Sequence, residues 1–440
     1  MTSHLTAYDN NIGYPLQLSE EQRADLSCIA GKPLKELIDE ESGRNLLVFP
    51  DDLNTYGDKI GNSQVFHISG NELYTGNIMG FVGIGSTMVK IGSRFDRGRN
   101  DYFLHYMLER VLSINLFDLD HSTTAEQIFD FLPFMFPMML KNALSQGLYK
   151  EYRTFERNDS HPRGVLDVAR HIRLNYPATG NIAYRTREHT ADNAVTQIIR
   201  HTIEYISTQE YGNNILSCDD DTRFFISQVK EATPTYNRNE REQMIAKNLR
   251  PKIHPYYSGY ANLTKLCVLI LRNEQIKYGR DDDTIHGILF DGAWLWEEYL
   301  NTILSPCGIE HPRNKTGEGK LHLFKGNKAS RFPDFYGKDI VLDAKYKGYA
   351  NSTVDRIGRE DLAQVISYMH IRRSRHGVFL APGKEYWTES SLELNGYDGI
   401  MSLLCMPISS ADNYTVFMKE MKESEVELSD RLNNLIGTVL

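Results

Sequence analysis

Short apolar runs alternate with polar breaks along the first 95 residues of the chain. Leu46-Leu47-Val48-Phe49, Gln64-Val65-Phe66-His67-Ile68, Ile78-Met79-Gly80-Phe81-Val82-Gly83-Ile84 and Met88-Val89-Lys90-Ile91 are rich in β-branched and aromatic side chains. Gly, Asn and Asp separate them, which predicts a small β-rich domain. Residues 19–38 have helical spacing and are expected to precede it. From Asn100 the period changes. Tyr102, Phe103, Tyr106, Met107, Arg110 and Val111 fall at helical spacing, and residues 129–148 are apolar enough for a buried helix. Residues 150–275 read as mostly helical. There, residues 193–205 set Val195, Ile198, Ile199, Thr202 and the following Ile206 on one side. Residues 222–229 and 263–271 are further helices, and Pro234, Pro251 and Pro255 break the region into pieces.

Beyond a linker at residues 279–284, the pattern becomes mixed. Residues 291–300 have apolar positions at helical spacing, with Glu297 and Glu298 set among aromatics. Residues 332–336 and 339–346 predict two antiparallel strands joined by a turn at Tyr336-Gly337-Lys338. A helix at 361–368, a strand at 378–381, a last strand at 414–418 and a helical acidic tail at 419–440 complete the expectation. The fold class is thus multidomain α+β or α/β. A β-rich N-terminal domain with helices is expected over 1–145, a mostly helical middle region over 146–279, and a mixed sheet flanked by helices over 280–440.

The predicted hairpin carries the most specific chemistry. Pro333-Asp334 precedes Asp343-Ala344-Lys345 by nine residues. Side chains two apart on a strand share a face, so Asp343 and Lys345 project together, and Asp334 on the neighbouring strand reaches the same face. Two carboxylates beside one ammonium suit a metal-dependent phosphodiesterase. The acids hold Mg²⁺, and the lysine steadies the attacking hydroxide or the charge growing on phosphate. Glu297 or Glu298 can add a ligand from its helix. Gln364 and Tyr368, one turn apart on a helix face, can hydrogen-bond a phosphate or orient the lysine.

Helix glutamate, Pro-Asp, Asp-x-Lys and Gln-x-x-x-Tyr, in that order, resemble the restriction-endonuclease-like nucleases of the RecB type, the PD-(D/E)-x-K superfamily. Over about residues 75–380 the chain resembles the McrC family, the nuclease subunit of modified-cytosine restriction systems. The supporting stretches are Lys90-Ile91-Gly92-Ser93-Arg94-Phe95-Asp96, Gly147-Leu148-Tyr149-Lys150-Glu151-Tyr152, Arg163-Gly164-Val165-Leu166-Asp167-Val168-Ala169-Arg170-His171-Ile172 and Tyr184-Arg185-Thr186-Arg187-Glu188-His189-Thr190-Ala191-Asp192-Asn193. Trp296-Glu297 takes the place of a Phe-Glu pair. The resemblance implies a DNA endonuclease dependent on Mg²⁺ or Mn²⁺. Its metal ligands would be Asp334, Asp343, the Ala344 carbonyl and Glu297, with Glu298 as the fallback; Lys345 would act on water and charge, supported by Gln364 and Tyr368. It also implies a McrB-like AAA+ GTPase ring that recognises and translocates modified double-stranded DNA. Residues 1–145 would dock on that ring, and two nuclease subunits would pair transiently to cut both strands.

Composition narrows the alternatives. Hydrophobic and charged fractions of 41% and 24% are ordinary for a soluble globular protein. No apolar run is long enough to span a bilayer, and MTSHLTAYDNNIGYP lacks the basic-then-apolar shape of a secretion signal. Five cysteines without a C-x-x-C pair suit a reducing cytoplasm. The net charge of −9 opposes nucleic-acid binding as a whole, yet residues 311–380 hold fourteen Lys and Arg against seven Asp and Glu. Arg163, Arg170, His171, Arg173, Arg185, Arg187 and His189 form a second basic group that suits DNA, a partner or a salt-bridged surface. The chain contains no phosphate loop, no His-Glu-x-x-His and no Gly-x-Ser-x-Gly elbow. Asp219-Asp220-Asp221 and Asp281-Asp282-Asp283 lack the alternation and glycine of a calcium loop. A non-catalytic activator of the motor and a free-standing nuclease are the competing readings.

Overall fold

Two five-stranded sheets organise the C-terminal site and the residues that brace it. The computed structural model describes residues 3–15, 18–40, 45–50, 60–84, 87–96, 101–112, 132–209, 212–249, 253–277, 285–312, 319–349, 352–384, 386–396 and 398–437. The expected linker at 279–284, with its acid triplet, lies outside these residues. The chain divides into two compact units, Met1–Ile128 with Gln275–Leu440, and Phe129–Glu274.

In the first unit, one sheet runs Ser3–Tyr8, Thr87–Gly92, Ile78–Ile84, His286–Asp291, Asn45–Phe49. The outer pairs are parallel and the central two antiparallel. Its Ile78–Ile84 strand is buried along its whole length, because both faces are covered and every position is apolar or Gly. At Gly80, where φ is +122°, a Cβ would lie 2.1 Å from the Ile288 carbonyl oxygen, so only glycine allows the two strands this approach. The helices Glu20–Ser27 and Leu34–Asp39 bury Leu26, Leu34 and Leu37 in the same core as Leu46, Val82, Val89 and Leu289. Because His286–Asp291 pairs here, the boundary expected near residue 280 is crossed by strand pairing: the C-terminal stretch completes the N-terminal sheet.

The second sheet of this unit is mixed, in the order Phe335–Tyr336, Ile340–Ala344, His376–Pro382, Ile400–Met406, Thr388–Glu393. Its three central strands are parallel and the outer two antiparallel. The helix Arg359–Arg372 makes the crossover between the first two parallel strands, a connection that needs a dozen or more residues. Its Val365, Tyr368 and Met369 pack with Val341, Phe379 and Leu403 from one sheet face. Leu342, Leu380 and Leu404 alternate to the other face and are equally buried. The apolar helix Gly292–Leu304 lies against the Ile340–Ala344 strand. Among the described residues no helix is long and apolar enough to cross a membrane.

One strand expectation is overturned. Residues 414–418 open the long helix Tyr414–Gly437. The Asn413 side chain caps it, accepting from Thr415 N and Val416 N at 2.9 and 3.3 Å. Tyr414, Phe417, Met418 and Met421 fall at helical spacing and are buried. A five-residue apolar run fits either period, and here the cap and the burial stripe select the helix.

The second unit, expected to be mostly helical, also contains an antiparallel sheet of Glu151–Asp159, Ile182–Thr190 and Val165–Leu166. Its helices Leu132–Leu144, Ala194–Ser207, Asp220–Ala232 and Ser258–Lys277 match the helical periodicity. Asn193 ties two of the resemblance stretches together. It caps Ala194–Ser207 through Val195 N and Thr196 N and donates to the Tyr149 carbonyl at 3.0 Å. Asp219 likewise caps Asp220–Ala232 through Thr222 N, so this acid triplet is a helix start.

Candidate active site

Asp343 sits near the carboxyl end of a parallel strand, the end at which open α/β sheets collect ligands. It is 2% exposed, on the face shared with Val341 and covered by Arg359–Arg372. Lys345, on the same side just past the strand, brings Nζ to 2.8 Å from Asp343 Oδ2 and 3.0 Å from Asp361 Oδ1. Asp361 Oδ2 is held in turn by Lys347 at 3.1 Å. The neighbouring strand pairs Phe335 with Leu342, so one step further Asp334 falls opposite Asp343. Asp334 Oδ2 accepts the Ala344 N–H at 2.8 Å. Asp334, Asp343 and Lys345 therefore come together at one strand end.

This cluster is electrostatically uncomfortable. Burial, and then the facing Asp343, push the Asp334 carboxyl up to about 8 against the pull of the Ala344 N–H and Lys345. Burial also raises Asp343, with Lys345 acting in the opposite sense. For Lys345 burial alone would lower the pKa, but Asp343 and Asp361 reverse it and keep the ammonium charged. Among the described residues, Asp343 Oδ2 has no hydrogen bond of ordinary geometry; its close neighbour is the Lys345 ammonium.

Glu297 and Glu298 come from the Gly292–Leu304 helix, whose start is capped by Asp291. They stand 3.7 and 3.8 Å from His311 Nε2, while His311 Nδ1 lies 2.8 Å from the Asp334 carbonyl oxygen. Burial would lower the His311 pKa; the hydrogen bonds to Glu298 and to the Asp334 carbonyl more than reverse this. Among the described residues no three His, Cys, Asp or Glu side chains converge as a metal-ligand group. Gln364 donates to the Tyr368 hydroxyl, and Tyr368, 1% exposed, donates to the Phe332 carbonyl at 2.9 Å. Both thus brace the segment that carries Asp334.

Sequence reasoning missed two neighbours of this cluster. Asp361 opens the crossover helix three residues before Gln364, a helix-face spacing that was the available signal. The second is an anchor from the N-terminal sheet. Arg94 donates to the Tyr346 carbonyl, one residue past Lys345, and its guanidinium lies 4.6 Å from the centre of the Tyr346 ring. Ser93 Oγ meets the Tyr346 hydroxyl at 2.7 Å, and Phe95 packs edge-on at 4.9 Å. A Cβ on Gly292 would stand 2.8 Å from Tyr346 Cε1, so glycine leaves the ring its space. These residues lie in the Lys90-to-Asp96 resemblance stretch, but nothing local points from there to residue 346.

A mixed α/β chain with an acid, acid-x-lysine cluster at the carboxyl end of its parallel strands is the class defined so far. Residues 73–381 match the family described as McrBC 5-methylcytosine restriction system component, and the chain belongs to that family. Among solved structures it is similar to a chain in the refined half-complex of a tetradecameric assembly of Thermococcus gammatolerans McrB AAA+ hexamers with bound McrC. That match has a TM-score of 0.51 at 15% identity and covers 98% of this chain and 100% of the other. A chain of the Thermococcus gammatolerans McrBC complex matches with TM-score 0.34 and 14% identity, over 69% of this chain and 88% of that one. No curated protein matches the chain.

Proposed function

We propose that this chain is the McrC-type nuclease subunit of a restriction system, a Mg²⁺-dependent DNA endonuclease that works with an AAA+ GTPase of the McrB kind. The observation that carries the reading is the meeting of Asp334, Asp343 and Lys345: Asp334 on Ala344 N at 2.8 Å, Asp343 on Lys345 Nζ at 2.8 Å.

The donor set fits a divalent cation. Two facing carboxyls with raised pKa values and a buried oxygen lacking an ordinary hydrogen bond are what a hard cation relieves. Asp334, Asp343 and the Ala344 carbonyl would hold Mg²⁺ or Mn²⁺; the ion supplies Lewis acidity and a low-pKa water when bound. Glu297 is assigned a role through water, because no third acid side chain joins the pair among the described residues. Lys345, charged and fixed between Asp343 and Asp361, orients the attacking water and meets charge growing on the phosphate. Gln364 and Tyr368 hold the Asp334 segment in place.

Docking of residues 1–145 on the motor belongs to this proposal, as do double-stranded DNA as substrate, a transient pair of nuclease subunits and a cytoplasmic setting. The test incubates the purified chain with DNA and Mg²⁺, with and without the motor protein and GTP. Cleavage should require the motor, and Asp343→Asn or Lys345→Ala should each lower it by roughly a thousand-fold, on the scale of one lost transition-state contact. Cleavage by folded variants at the unaltered rate overturns the assignment. Full motor stimulation by an unaltered chain that never cuts would favour the activator reading.

A further inference from the structure

Immediately before Asp334 the chain makes a two-stranded ribbon, Leu321–Phe324 paired antiparallel with Lys328–Arg331. Its base is half-buried at Leu321, His322 and Leu323, and the first strand packs against the Arg359–Arg372 helix. Its far end is exposed from Phe324 to Ala329, and Phe324 itself is 60% exposed. The turn is built to be narrow: Gly326 and Asn327 both have left-handed φ, 82° and 60°.

From Lys320 to Pro333 the sequence holds Lys320, Lys325, Lys328 and Arg331 and no Asp or Glu. Among the described residues none of the three lysines is drawn into an ion pair. An exposed aromatic beside ammonium groups that have no ion pair among the described residues adds nothing to the core and keeps like charges together. It has a binding reason. The DNA major groove admits a two-stranded β-ribbon, and phosphates line both its edges.

We propose that this ribbon enters the major groove of the substrate duplex, with Lys325 and Lys328 on phosphates and Phe324 against the base edges. The proposal rests on the nuclease reading of the adjacent site. Reach supports it: ten residues separate Phe324 from Asp334 along a strand and a short extended link, and the strand from Lys328 onward spans at most about 20 Å. The tip therefore meets DNA within about six base pairs of the bond held at Asp334 and Asp343. The ribbon fixes where the duplex lies relative to the site.

The test uses the full chain in metal-free buffer with a fluorescein-labelled 30-base-pair DNA duplex and an RNA duplex of the same sequence, read by anisotropy over a salt series. Lys325→Ala/Lys328→Ala should weaken DNA binding roughly ten-fold and make the log–log salt slope shallower by about 2, one unit per lost phosphate contact. Phe324→Ala should weaken binding to DNA and leave RNA unchanged, because the A-form major groove is too deep and narrow to enter. An unchanged slope in the lysine variant overturns the ribbon, and so does an equal Phe324→Ala loss on both duplexes. Loss of co-elution with the motor, with DNA affinity intact, would assign the ribbon to protein and overturn the proposal. If the unaltered chain alone binds no duplex, the ribbon proposal fails. Cleavage in the motor assay then still preserves the nuclease reading, and absence of both removes the two together.

Discussion

Asp9 and Asp343 are both buried carboxylates at the carboxyl ends of strands in five-stranded sheets, and they differ in how their oxygens are satisfied. Asp9, 0% exposed, accepts Arg94 N on Oδ1 and Arg94 Nη1 on Oδ2, each at 2.6 Å. Both oxygens are hydrogen-bonded within the fold, and Arg94 goes on to Asn77 at 3.0 Å and to the Tyr346 carbonyl. Asp343 has the Lys345 ammonium beside it without an ordinary hydrogen bond, and a second carboxyl faces it from Asp334. A buried acid whose oxygens are all engaged supports the structure. A buried acid facing another acid stays costly until something else binds, and that marks a site.

The largest effect expected from this contrast is on stability. Arg94→Ala removes the partner of a fully buried carboxylate and should cost about 3–5 kcal/mol, the usual penalty for breaking such a pair from one side. Asp343→Asn removes charge from a crowded site and should leave the metal-free melting temperature unchanged or raised. Thermal unfolding of both variants without divalent metal checks this. If Asp343→Asn destabilises as much as Arg94→Ala, the distinction between the two acids fails.

Next in size is a pH effect. Burial pushes Asp9 up to about 6 from 3.8, and the Arg94 charge offsets it only in part. A carboxyl whose folded pKa lies above its unfolded value binds its proton more tightly in the native state. Its contribution to stability therefore falls as pH rises from about 4 through about 6 and is constant above, by up to about 3 kcal/mol at 1.36 kcal/mol per unit. Between pH 4.5 and 6.5, which covers only part of that window, melting curves of the unaltered chain and Asp9→Asn should diverge by about 2 kcal/mol. Parallel curves would mean that Arg94 compensates burial completely.

The same contrast explains what was legible in the sequence. The nearness of Asp334, Asp343 and Lys345 follows from a hairpin and a period of two within a dozen residues, where local rules are strong. The helices that carry Glu297, Gln364 and Tyr368 are equally local. The Arg94 anchor spans 252 residues, and the Glu425 node, bonded by the Tyr106 and Tyr299 hydroxyls, spans 319 and 126. Such pairings depend on which strands share a sheet. His286–Asp291 joining Ile78–Ile84 shows that sheet membership is not written in the pattern of either strand. The misassigned run at 414–418 has another cause: five apolar residues carry too few periods to tell strand from helix.

The smallest effect sharpens the comparison at its functional end. Tyr368 and Arg94 do similar work on opposite flanks of the cluster, the one donating to the Phe332 carbonyl two residues before Asp334, the other to the Tyr346 carbonyl just after Lys345. Tyr368→Phe deletes two neutral hydrogen bonds, the one accepted from Gln364 and the one donated to the Phe332 carbonyl, while keeping the ring in the core with Val365 and Met369. It should cost about 2 kcal/mol of stability and lower kcat a few-fold with KM unchanged, because the Asp334 segment is loosened but no contact with substrate is lost. Cleavage kinetics with the motor present, alongside a melting curve, measure both. A loss approaching that of Asp343→Asn would instead mean that the Tyr368 hydroxyl touches the reacting groups, and the line drawn between bracing and chemistry would have to move to include it.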